Sequence, residues 1–118
     1  MNAFMKQLKA ELVNAIKVAK SLGYEVTPSG SYLSLSPAYH TKTICLLGTM
    51  QVVADSPTES YFTHYDRTAL ADDFGLTGHD LKSVEDGFCY DENAYSPLSD
   101  ADKAFRALGR ALRAGLGA

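Results

Sequence analysis

The chain has 118 residues, 46% hydrophobic and 21% charged, with a net charge of −3. These are ordinary values for one globular domain, so a single domain spanning residues 1–118 is expected and a second core is excluded. No apolar run approaches the roughly 18 residues needed to cross a bilayer, and lysines are spread through the first 22 residues where a signal peptide would carry an unbroken apolar stretch. A cytoplasmic protein with no membrane partner is the expectation. Cys45 and Cys89 are the only cysteines, and with three histidines and no Cys-x-x-Cys they make neither a structural zinc site nor a disulfide framework. No metal and no cofactor is expected.

The small net charge hides a segregation. Residues 1–54 carry five lysines against Glu11 and Glu25; residues 55–102 carry twelve acids against Arg67 and Lys82; residues 103–118 carry four cations and no acid. Either the opposite charges meet within the fold, or they leave a bipolar surface that attracts a charged partner.

Residues 3–22 read as an amphipathic helix with an apolar stripe of Phe4, Leu8, Leu12, Ala15, Ile16, Ala19 and Leu22. Lys6, Lys9, Lys17 and Lys20 gather on an adjoining face, and Gly23 supplies a left-handed C-cap. Residues 24–36 predict a small β-hairpin: Tyr24 to Thr27, a turn at Pro28-Ser29-Gly30, then Tyr32 to Ser36 with alternating leucines and serines. The stretch 43–54, TICLLGTMQVVA, is ambiguous. Its β-branched residues favour strand, whereas its length and lack of alternation favour a buried helix; helix is the reading taken. Residues 58–66 are aromatic-rich and are expected to pack on the core. Two short helices follow, at 66–74 and 78–86, joined at Gly75, with Thr77 as N-cap of the second and Gly87 closing it. After a polar loop at 89–98, Ser99 caps a last helix with Asp100 and Asp102 in its first turn. Its stripe is Ala101, Phe105, Leu108 and Leu112, and the tail AGLGA is expected to fray. The fold class is therefore α+β, mainly α, with four or five helices and one small β-hairpin.

Leu70-Ala71-x-x-Phe74-Gly75-Leu76-Thr77, followed by Leu81, Val84, Glu85 and Gly87, resembles the central two helices of Cro/repressor-like helix-turn-helix domains. The match is to packing positions. A DNA reader on this pattern would use Thr77, His79, Lys82 and Ser83 near base edges. Yet Gly78, Asp80 and Asp86 share the exposed face, and Asp72 and Asp73 precede it. DNA binding draws most of its affinity from neutralised phosphates, and a segment this acidic repels them.

A second resemblance spans residues 45–112. Cys45-Leu46-Leu47-Gly48, Phe74-Gly75-Leu76-Thr77, Gly87-Phe88 and Leu108-Gly109-Arg110-Ala111-Leu112 follow one another as in small uncharacterised proteins of phages and mobile elements. The chain departs from that pattern at Cys89, where it has Asp, and at Leu46, where it often has Pro. The resemblance implies a mainly helical core and a phage-like origin with no known activity.

Candidate chemistry is sparse. Cys45 and Cys89 each sit beside apolar residues, as inert buried cysteines do; a nucleophile would need a cation or helix N-terminus nearby, and no spacing brings His40, His64 or His79 to either. The acids of DGFCYDEN lack the ligand spacing of a calcium loop. Arg106, Arg110 and Arg113, at steps of four and three, lie on one helix face and form the best candidate surface for a partner's carboxylates or phosphates. Tyr61 and Tyr65 are candidates for the same interface. The expected function is a non-enzymatic protein-binding module, inhibition of a host defence complex being one form of it, with homodimerisation compatible. The alternatives are a helix-turn-helix regulator and a small cysteine-dependent enzyme.

Overall fold

The computed structural model describes residues 2–31, 41–54, 67–90 and 99–117. Their order is α1 (Ala3–Ser21), β1 (Glu25–Ser31), β2 (Thr43–Ile44), α2 (Leu46–Ala54), α3 (Arg67–Asp73), α4 (Gly78–Cys89) and α5 (Asp100–Ala114), with a 3-10 turn over Gly115–Gly117. Five helices beside a two-stranded sheet make an α+β fold dominated by helix.

The amphipathic N-terminal segment forms α1, and Asn2 starts it: its Oδ1 accepts the Met5 N–H at 2.8 Å. Met5, Leu8, Leu12, Ala15, Ile16 and Ala19 are buried. Phe4 and Leu22, expected in this stripe, are each 46% exposed. At 100° per residue both fall on the flank of the buried arc, and Met5 takes the inward place. Gly23, at φ +92°, ends the helix as expected: its N–H reaches the Lys20 carbonyl, and the Tyr24 N–H reaches that of Ala19.

The hairpin is corrected. β1 runs unbroken through Pro28-Ser29-Gly30, and its partner is β2, in parallel. Glu25 lies opposite Thr43 and Val26 opposite Ile44, and Ser31 again faces Ile44, so the register jumps between Val26 and Ser31. The turn-forming residues thus build a bulge. Proline donates no ladder hydrogen bond, and an irregularity of register is where a strand tolerates it. The second arm expected for the hairpin, residues 32–36, lies outside the described residues, as does the aromatic segment 58–66.

The ambiguous run 43–54 divides. Thr43 and Ile44 pair with β1, and Leu46–Ala54 is helix. Every residue from Leu46 to Val52 is buried, which explains the missing alternation: α2 is covered on all sides over that span, and only at its end does Val53 emerge. Buried Thr49 satisfies its hydroxyl by donating to the Cys45 carbonyl at 3.0 Å.

The helix pair is present. Gly75, at φ +70°, reverses the chain while the Leu76 N–H bonds back to the Ala71 carbonyl at 2.9 Å. Leu70, Ala71, Leu76, Leu81 and Val84 are buried between the two helices and the core. Gly87 does not end α4, which continues to Cys89. It lies instead at the crossing with α5, where a Cβ would strike the Arg106 carbonyl; a Cβ on Gly109 would strike the Val84 carbonyl and stand 2.7 Å from the Phe88 nitrogen. Two glycines, both on motifs of the second resemblance, therefore let the α4 and α5 backbones touch. Phe105, Leu108 and Leu112 of α5 are buried as expected, but Ala101 is exposed. In the tail, Leu116 packs against the core from the 3-10 turn rather than fraying.

Candidate functional site

The sequence places four polar residues, Thr77, His79, Lys82 and Ser83, on the first two turns of α4. The fold engages each of them internally. Thr77 caps the helix, its Oγ1 accepting the Asp80 N–H at 3.0 Å. His79 Nε2 lies 2.9 Å from Asp102 Oδ1 on α5. Lys82 donates to Asp86 Oδ2 at 2.9 Å. Ser83, expected to face solvent, is 6% exposed and points into the seam, donating to the His79 carbonyl at 3.3 Å and Asp102 Oδ1 at 3.4 Å. Asp86, also expected outside, is half-buried. The reason is α5: it lies along the side of α4 that Ser83 occupies. Asp72 and Asp73 remain exposed on α3.

Asp102 is the node that joins these helices, a role that its place as a first-turn acid of α5 does not reveal in the sequence. Burial raises its carboxyl, but hydrogen bonds from Ser99, His79 and Ser83 outweigh that and hold it below the ordinary carboxylate range. Asp86 is a second node. It receives Lys82 one turn earlier and, at 3.5 Å, Arg106 from α5. The first of these is legible as an i, i+4 pair; the second depends on the helix crossing. Arg67 likewise reaches Glu85 at 3.2 Å. Three cations thus meet acids of the central segment inside the fold.

The arginine row is on one flank of α5, but it is graded. Arg106 and Arg113 lie half-buried toward the seam, while Arg110 and its neighbour Lys103 face solvent. Arg113 Nη1 is buried and has no hydrogen-bond partner among the described residues. Tyr61 and Tyr65 lie outside the described residues.

Among the described residues, two hollows that open at the surface bear on the candidate groups. One, of about 400 Å³, lies between α1, α2 and α3, with Glu11 and Asp73 beside Val53 and Phe74. The other, of about 450 Å³, brings the two cysteines together. Cys45, Cys89, Glu85 and Tyr90 line it with Ser29 and Ser31 of β1. Cys45 is only 5% exposed. Burial pushes its thiol up, although the Gly48 and Leu47 N–H groups of the first turn of α2 pull the other way. Cys89 is pushed up to about 12, first by burial and then by the negative charge of Cys45, Glu85 and Asp86, with Arg113 opposing. Both cysteines are free thiols. His79 bonds to Asp102 near the other end of α4, while His40 and His64 lie outside the described residues. Nothing local in the sequence links Cys45 to Cys89; the packing of α4 on β1 and α2 does.

Among the described residues, no three His, Cys, Asp or Glu side chains are grouped to hold a metal ion, and no helix is long and apolar enough to cross a membrane. Compared with known proteins, the chain matches no family model, and no curated protein or solved structure matches it.

Proposed function

We propose that this chain is a non-enzymatic protein-binding module of phage or mobile-element type, and that its partner is an acidic protein surface met by the outer flank of α5. One observation carries the reading. The polar groups of α4 that a DNA reader would turn to base edges are engaged by α5 and by α4 itself, whereas Arg110 and Lys103 stand in solvent. A helix-turn-helix needs its second helix open to the major groove and cations on the phosphates; here that helix is flanked by Asp72, Asp73 and Asp80. A cysteine enzyme is disfavoured by thiols held in their protonated form at neutral pH. Arginine favours carboxylates because its planar fork can bond both oxygens. Inhibition of a host defence complex is the form of binding that a mobile-element origin favours.

The test is affinity capture from a bacterial lysate, with the wild-type chain beside an Arg110→Glu/Lys103→Glu variant of equal thermal stability. A stoichiometric protein partner held by the wild type and lost by the variant is the expected result. Capture that ignores the charge reversal would sink the proposed surface. Salt-sensitive DNA binding with no protein partner would replace the reading with the regulator.

A further inference from the structure

The outer flank of α1 goes beyond that reading: it is another surface, and it fits a partner of the opposite charge. Phe4, Gln7, Glu11, Asn14, Val18 and Leu22 recur at steps of three and four and are all exposed. They form a second seam, set one residue back from the buried Met5, Leu8, Leu12, Ala15 and Ala19. Lys6, Lys9, Lys17 and Lys20 lie across the buried face, so the seam itself holds no cation. Of the five large hydrophobic side chains left exposed among the described residues, Phe4, Val18 and Leu22 belong to this seam and Val53 stands beside it. The hollow of about 400 Å³ opens at the middle of the seam, where Glu11 and Asn14 meet Val53 and Ala54 of α2 and Asp73 and Phe74 at the end of α3. Phe4 continues the same surface: its ring comes within 4.0 Å of where a Cβ on Gly75 would stand, next to Phe74. Exposed apolar side chains gathered in this way mark an interaction site. Its charge has one sign, since Glu11 and Asp73 line the hollow and none of the described lining residues is a cation.

We propose that this flank binds a basic amphipathic helix of a partner protein, laid along α1 with apolar side chains in the hollow and lysines or arginines against Glu11 and Asp73. From Phe4 to Leu22 the seam runs roughly 27 Å at 1.5 Å per residue, the length of a helix of about 18 residues. Steps of three and four on α1 accept the same steps on an incoming helix, as in helix-in-groove recognition. The apolar anchors supply the buried area, and the acids set the sign of the partner's charge. A second copy of this chain is a poorer occupant. Pairing the seam antiparallel with itself sets Glu11 against Glu11. The exposed cations of α5, Lys103 and Arg110, stand among alanines, with no large apolar side chain to fill the hollow.

The experiment titrates the full chain into a fluorescein-labelled synthetic helix of about 18 residues, with leucines on one face and lysines on its flanks, and reads anisotropy at about 0.15 M salt. A companion peptide carries glutamate in place of every lysine. The lysine peptide is expected to bind, one per chain, at least about tenfold more tightly than the glutamate peptide, and Glu11→Lys is expected to weaken it about tenfold. Asp100→Lys makes the same change in net charge on α5, which takes no part in the hollow, and should weaken binding by no more than about twofold. Val53→Ser leaves the charge alone and should weaken it about fivefold through lost apolar contact. No binding of the lysine peptide overturns the proposal, as does equal binding of the two peptides. Equal losses in Glu11→Lys and Asp100→Lys also overturn it, because net charge alone would then account for the effect. A wild-type dimer that Glu11→Lys abolishes, with no peptide bound, would overturn it in favour of a second copy.

Discussion

Replacing Gly109 with alanine tests the crossing on which the arrangement of α4 and α5 rests. At an exposed helical position the change would stabilise by about 1 kcal/mol, because alanine is the better helix former. At Gly109 the new methyl would strike the Val84 carbonyl oxygen and sit 2.7 Å from the Phe88 nitrogen. Both obstacles are backbone, so no side chain can rotate away and the two helices must separate. Separation loosens a seam in which Val84, Phe88, Phe105, Leu108 and Leu112 are all buried. Overpacking of this kind costs up to about 3 kcal/mol; set against the gain in propensity, a net loss of about 2 kcal/mol is expected. For a chain of this length that is a fall in Tm of roughly 8 °C. Urea melts followed by circular dichroism give the free energy, and calorimetry gives Tm. Gly87→Ala meets the Arg106 carbonyl at the same crossing. The double variant should therefore lose less than the sum of the two, since one displacement relieves both clashes. Gly115→Ala, with nothing within 4 Å of the added Cβ, serves as the control. A Gly109→Ala protein as stable as the wild type or more so would refute the close crossing, and with it the burial of Ser83 against α5.

Two pH dependences follow from the same elements. The Cys89 thiol is raised from an ordinary 9.0 to about 12 in the folded chain, so folding favours its protonated form; stability is complete below pH 9 and is lost as pH rises toward 12. Urea melts across that interval should show a smaller loss for Cys89→Ser, with a remaining slope from Tyr24, which burial also raises. Asp102 has the opposite sign: its carboxyl is held below the ordinary 3.8, so its contribution is present above that pH and fades as pH falls through the lowered value. Ser99→Ala removes the N-cap of α5, at about 1 kcal/mol, together with one hydrogen bond to this carboxyl. Carbon-detected NMR titration should then find the Asp102 midpoint moved upward; an unmoved midpoint would separate Asp102 from the cap.

Much of the helical framework was legible because it is settled within a turn or two of chain. Thr77 and Ser99 cap their helices through a hydroxyl and an N–H three residues on, and Gly23 and Gly75 supply the positive φ that ends α1 and α3. The inward stripe of α5 from Phe105 to Leu112 is a periodicity any helix must turn to one side. Where two local readings compete, the sequence is ambiguous for a physical reason. Pro28-Ser29-Gly30 suits a reversal and a bulge equally well, and only the partner strand decides; Ile44, arriving in parallel, makes it a bulge.

What the sequence determined by itself is the set of helices, their caps and the segregation of charge, because propensity, capping and turn geometry act between near neighbours. Tertiary structure alone decided that Gly87 is a crossing point and not a stop, that Ser83 turns inward, that Arg106 reaches Asp86, and that Cys45 and Cys89 share a cleft. Each of these joins residues far apart along the chain. Their meeting is set by which helix faces bury together, and the local pattern of neither partner carries that information.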